Sequence, residues 1–192
     1  GDVKIVIRLA SEDHPLIEEM WPYAFELRQV FRLGDGFSIN FSAANLTDKP
    51  MPISEALHTY FHSGDNQSAE VHGLEGVKYV DKFDDNAISK QSGVVSPCEA
   101  LDRVYLNAPD VLELHDPVFK RKFIVASEGA QSTVLWNPGE ALAKLRTDME
   151  EGDYRQFVCV ETANALDNQY EIPAGEMHQL RLTVHAEATA QD

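Results

Sequence analysis

Period-two alternation constrains this chain more than any other feature. Val3, Ile5, Ile7 and Leu9 take turns with Lys4, Val6 and Arg8. Phe25, Leu27, Gln29, Phe31 and Leu33 likewise take turns with Glu26, Arg28, Val30 and Arg32. Successive side chains of an extended chain point to opposite faces, so this pattern buries one face of a strand and wets the other. Gly34-Asp35-Gly36 then turns the chain into Phe37, Ile39 and Phe41, a hairpin signature. Further strands are expected over 53–61, 77–81, 103–106, 111–115, 122–127, 132–136, 156–160 and 180–185. They recur about every ten residues with turn residues between them, the spacing of an antiparallel sandwich rather than of βαβ units. Asn45 to Pro52 reads as a turn, because Pro50 and Pro52 cannot serve a central strand. Helix signals are thin. Glu140 to Leu145 spans barely two turns, and Pro15 limits Ser11 to Met20 to a short helical turn. With no linker, repeat or low-complexity stretch, the expectation is one all-β antiparallel β-sandwich domain over residues 1–192.

Composition narrows the function. The 192 residues carry 32 acidic and 16 basic side chains, a formal charge of -16. That balance argues against nucleic acid and anionic membrane as partners, both of which need clustered positive charge. No apolar run approaches the ~20 residues that span a bilayer. The opening Gly1-Asp2-Val3-Lys4 shows neither the basic nor the apolar region of a secretion signal. Cys98 and Cys159 are too few and too far apart for a disulfide framework, and a cytoplasmic location is expected. P-loop, GxGxxG, paired CxxC and GxSxG patterns are absent.

The remaining chemistry lies in acids and histidines set among apolar residues. His58, Tyr60 and His62 share one face of an extended segment whose other face is Leu57, Thr59 and Phe61. His58 reads either as an imidazole lining a sheet face beside an aromatic ring or as a half-exposed histidine. A metal set of His58, His62 and His72 is disfavoured, since no histidine pair has tight ligand spacing with a further close ligand. Glu161 ends the run Phe157-Val158-Cys159-Val160. It is either a partly desolvated carboxylate, raised from ~4.3 toward a useful base, or a residue just past the strand end pointing into solvent. Asp102, opening Arg103-Val104-Tyr105-Leu106, either accepts hydrogen bonds from a ligand or caps a turn. Trp136 reads as core or as a stacking platform near an edge, with core favoured. Asn45-Leu46-Thr47 reads as a turn, and Asp81, Asp84 and Asp85 as a solvated loop.

Three segments in this order resemble the aldose 1-epimerase (mutarotase) superfamily: Glu55-Ala56-Leu57-His58-Thr59-Tyr60-Phe61, Leu101-Asp102-Arg103-Val104-Tyr105 and Val158-Cys159-Val160-Glu161-Thr162. They are most similar to its hexose-6-phosphate mutarotase, or glucose-6-phosphate 1-epimerase, branch. Thr133 to Pro138 and Asn45 to Pro52 fit the same branch. The resemblance implies a galactose-mutarotase-type sandwich, with His58 and Glu161 on the catalytic positions and Asp102 on a carboxylate that binds sugar hydroxyls. It implies an isomerase acting on a small sugar or sugar phosphate, with no cofactor and no metal. The family's strands preceding the position of Val3 have no counterpart in residues 1–24. The chain is therefore expected to be an N-terminally truncated, C-terminal portion of such a domain. That leaves a non-catalytic carbohydrate-binding sandwich as the alternative. Arg28, Arg32 and Lys49 are the candidate phosphate partners, and a cupin-like enzyme with metal on His58 and His62 is a third reading.

Overall fold

The computed structural model describes residues 2–13 and 15–189. In chain order the first strands are β1 (Val3–Ala10), β2 (Phe25–Leu33), β3 (Phe37–Asn45), β4 (Met51–Ile53), β5 (Glu55–Leu57), β6 (Tyr60–His62), β7 (Glu70–His72) and β8 (Lys78–Asp81). They continue as β9 (Ala87–Lys90), β10 (Leu101–Leu106), β11 (Val111–Asp116), β12 (Arg121–Glu128), β13 (Ser132–Asn137), β14 (Phe157–Asn164), β15 (Tyr170–Ile172) and β16 (Met177–Ala188). The back sheet has seven strands in the order β1-β2-β3-β16-β12-β11-β7. The front sheet runs β5-β14-β13-β10-β8-β9, with β6 also paired to β14. The described strand pairs are antiparallel, including a small accessory pair of β15 with β4.

Alternation explains where the core sits. Leu180, Leu182 and Val184 of β16, Leu112 and Leu114 of β11 and Val125 of β12 point inward from the back sheet. Leu101 and Tyr105 of β10, Leu135 of β13 and Val158 and Val160 of β14 meet them from the front. Each such side chain contributes about 1.5–3 kcal/mol by leaving water. A second apolar cluster joins Phe25, Ala43, Met51, Ile53 and Ile172 at the end of the sandwich where the accessory pair lies.

The all-β antiparallel architecture and the hairpin at Gly34 to Gly36 follow the alternation, with Leu33 opposite Phe37. Three details depart from the local reading. Pro52 does lie in a strand, but in the two-stranded pair rather than in either large sheet. The run 53–61 is not one strand: β5 and β6 are separated at His58 and Thr59, where the Thr59 N–H and hydroxyl both turn back to the Leu57 carbonyl. The short strands β7, β9 and β15 lack the length to show a period. Helix is confined to short pieces, among them α1 (Pro15–Met20) and α2 (Gly139–Ala143), and none described is long and apolar enough to cross a membrane. Position 14 of the predicted N-terminal turn lies outside the described residues.

Candidate active site

The same alternation that sends Val158 and Val160 into the core sends Cys159 and Glu161 out of the opposite face of the front sheet. Neighbouring strands supply the rest through their registers. Asp102 of β10 lies opposite Trp136 of β13, Trp136 opposite Cys159 of β14, and Cys159 opposite Tyr60 of β6. A row of four side chains thus crosses four strands, with Glu161 two residues further along β14. His58 enters from the break between β5 and β6, and its ring stacks on Tyr60 at 4.9 Å with an interplanar angle of 15°. Trp136 meets both rings edge-on, at 5.9 Å from His58 and 6.3 Å from Tyr60. The break at His58 releases the imidazole from sheet geometry and lets it reach over its neighbour.

That reach ends at Glu161. His58 Nε2 lies 3.3 Å from Glu161 Oε1, with the histidine side chain 49% exposed and the carboxylate only 6%. Burial, reinforced by the nearby Asp102 charge, pushes the Glu161 carboxyl up to about 7. Asp102 is itself raised by burial, with Lys82 opposing that shift and Asp81 adding to it. Burial, with a smaller contribution from Glu161, likewise holds the Cys159 thiol protonated far above its ordinary range. From the far rim, the loop after α2 brings the Arg146 guanidinium to 5.6 Å from the Trp136 ring centre. The site thus presents a desolvated carboxyl that titrates near neutral pH next to a half-exposed imidazole, beside aromatic rings. Such a pair can give and take a proton at neighbouring atoms.

Of the two readings of Glu161, the geometry selects the buried one. Trp136, for which core seemed the safer position, stands on the outer face of the front sheet with the rings of His58, Tyr60 and Phe157. Other sequence candidates lie elsewhere. His62 packs on Phe119, and His72 faces His115 on the back sheet, so the set His58, His62 and His72 is not brought together. Arg28 and Arg32 line a groove on the outer face of the back sheet with Lys4, Ser42, Gln179 and Arg181. Lys49 sits 4.7 Å over the Tyr23 ring. None of these three cations shares the site. Asn45, expected in a turn, is instead the buried last residue of β3, and it organises the turn that follows: its amide donates to the carbonyls of Lys49, Ile172 and Pro173, and its Oδ1 accepts the Thr47 N–H. Sequence reasoning passed over Cys159 and Arg146. The signal for Cys159 was its place two residues before Glu161 in an alternating strand; for Arg146, beyond a short helix, there was none.

Comparison with known proteins agrees with this architecture. The aldose 1-epimerase family profile matches residues 2–185. A protein of Cenchrus ciliaris named "Putative glucose-6-phosphate 1-epimerase" is 30% identical over 190 residues, covering 96% of this chain and 56% of the relative. One of the same name in Escherichia coli strain K12 is 35% identical over 155 residues, covering 79% of this chain and 50% of the relative. The chain therefore spans about half the length of the curated relatives it matches. Among solved structures, a "putative mutarotase" from Salmonella typhimurium superposes with a TM-score of 0.87 at 29% identity, covering 97% of this chain and 61% of that one.

Proposed function

Since the chain belongs to the aldose 1-epimerase family, we propose that it interconverts the α and β anomers of an aldohexose 6-phosphate such as glucose 6-phosphate. The observation that carries this reading is the 3.3 Å approach of His58 to the buried Glu161. Anomers interconvert by opening the ring, rotating the new aldehyde and closing on its other face. In the opening step Glu161 takes the C1 hydroxyl proton, the C1–O bond to the ring oxygen breaks as C1=O forms, and the His58 ring N–H protonates the departing oxygen. Closure reverses these transfers. A base near pH 7 combines a useful ionised fraction with a strong pull on the proton, which a carboxylate of pKa ~4.3 lacks. Asp102 accepts hydrogen bonds from sugar hydroxyls, and Trp136 and Tyr60 offer ring faces to the apolar side of the pyranose. The chemistry uses proton transfer alone and calls for no metal or organic cofactor.

The 6-phosphate rests on the names of the relatives, and Arg146 beside Trp136 and the Lys82 charge felt by Asp102 are compatible with an anion in an otherwise acidic protein. Polarimetry or exchange NMR on glucose 6-phosphate tests the reading. His58→Ala and Glu161→Gln are each expected to lower the enzymatic rate by about 10²–10⁴-fold with unchanged circular dichroism. A wild-type-like rate in either variant overturns the assignment. A wild-type chain that binds the sugar without accelerating anomerisation is a carbohydrate-binding module instead.

A further inference from the structure

Cys159 has no part in that proton traffic, yet it stands inside the site. The ligand atoms of His58, Cys159 and Glu161 all lie within 4.8 Å of one another, and they form a cluster of imidazole nitrogen, thiol sulfur and carboxylate oxygen. We infer that these three residues form a zinc site, and that a bound zinc ion and the sugar exclude each other.

The donor set and its support point to this ion. Zinc takes nitrogen, sulfur and oxygen ligands at bonds of about 2.0–2.3 Å in a tetrahedron, which places the donors roughly 3.3–3.8 Å apart. His58 and Glu161 are already at 3.3 Å. The pairs that include Cys159 close by about 1.5 Å at most, and the half-exposed His58, on a two-residue break rather than in the sheet, is free to supply its share. Cys159 and Glu161 are held rigidly by β14, which has a paired strand on both sides. Calcium and magnesium favour cages made wholly of oxygen and are disfavoured by the thiol and imidazole. On binding, the Cys159 S–H bond breaks as the zinc–sulfur bond forms, and the proton leaves to the buffer; no redox partner is involved. Occupancy would take the lone pairs of both groups that the proposed reaction uses for proton transfer. The mutual exclusion therefore rests on the reading of His58 and Glu161 as its acid–base pair, whereas the site itself does not.

The test has two arms on the full chain. In the first, calorimetry with zinc sulfate is expected to give one site, and cobalt substitution an intense thiolate-to-metal band in the near ultraviolet. Cys159→Ala should abolish that band and weaken zinc at least tenfold, with Cys159→Ser as a second variant should alanine fail to fold. In the second, low micromolar zinc should suppress mutarotation of glucose 6-phosphate by tenfold or more, reversed by EDTA. Cys159→Ala should keep its rate within twofold and lose the inhibition. Absence of one-to-one binding, or equal zinc affinity in wild type and both cysteine variants, overturns the site. Zinc binding that leaves mutarotation untouched overturns the exclusion. A wild-type chain that binds zinc but has no mutarotation upholds the site and instead sinks the reading as an epimerase.

Discussion

As the proposed base, Glu161 carries two demands that oppose each other. Its position on β14 buries it among aromatic and apolar groups, which penalises the charged form, and a general base must be charged to act. The result is a carboxyl at about 7, raised first by burial and second by Asp102. This gives a signed prediction. On the acid side of the profile the rate should rise as Glu161 loses its proton, with a midpoint of kcat/KM near 7 and a fall of about tenfold per pH unit below it. Asp102→Asn removes a negative neighbour, so the charged form of Glu161 becomes easier to make and the midpoint should move down by less than about one unit. A pH–rate profile of both proteins checks this; an unmoved or raised midpoint contradicts the proximity of the two carboxylates. In the proposed reaction Asp102 also holds sugar hydroxyls, so the midpoint and not the amplitude is the quantity to read.

The site depends on how a few elements end. Phe157 opens β14, and its carbonyl is held by the side-chain amides of Asn137 and Asn66. Asn137 is nearly fully buried. It donates to the carbonyls of Tyr154 and Phe157, each at 2.7 Å, and its Oδ1 accepts the Gly139 N–H at 2.9 Å. One side chain thereby ties the end of β13, the start of α2 and the entry to β14. Gly139 sits at φ +63°, where an added Cβ would come within 2.8 Å of Ala100, so this turn is built for glycine. Asn137→Ala removes three hydrogen bonds at a buried position, at about 1 kcal/mol each. A loss of about 3 kcal/mol in chemical denaturation is expected; a loss under 1 kcal/mol would mean that Asn66 alone holds the strand entry. Legibility follows the same divide. Long strands with a full alternation, such as β2 and β16, could be read directly. β7, β9 and β15, at three or four residues each, could not, because so short a run fits any period; of the comparably short strands β8 was read, from the apolar Val77, Tyr79 and Val80.

At the scale of the whole molecule, the edge of the back sheet stands out. Val3, Ile5, Ile7 and Leu9 are 41–55% exposed, although Ile5 pairs with Phe31 and Leu9 with Leu27 on the inward-facing side of β2. An apolar row in line with the core therefore meets solvent, which makes it a place for dyes and other apolar molecules to adhere. The double variant Ile5→Thr, Ile7→Thr keeps β-branched residues in the strand. It should lower the fluorescence of a bound hydrophobic dye severalfold while changing stability by less than about 1 kcal/mol. Unchanged dye binding would place the adhesive surface elsewhere. The charge of -16 is compatible with a phosphorylated substrate because the site is governed by local cations and burial, not by the total.

What the sequence determined by itself was the class of fold and the candidates. Alternation at strand spacing is a local property, imposed residue by residue by the need to bury one face, and it dictates an antiparallel sandwich. The segments around His58, Asp102 and Glu161 carried the resemblance that the family profile bears out. Only the tertiary structure decided which residues meet. Asp102, Trp136, Cys159 and Tyr60 are separated by up to about a hundred positions and become neighbours through strand register, which no single strand encodes. The break at His58 and Thr59, the turn of the imidazole onto Glu161 and the arrival of Arg146 beside Trp136 belong to the same level. Arg28 and Arg32 show the converse: as charges they suited a phosphate, and the sheet order placed them on the opposite outer face. Side-chain direction is set within a strand, but proximity is set by the pairing between strands and the packing of one sheet on the other.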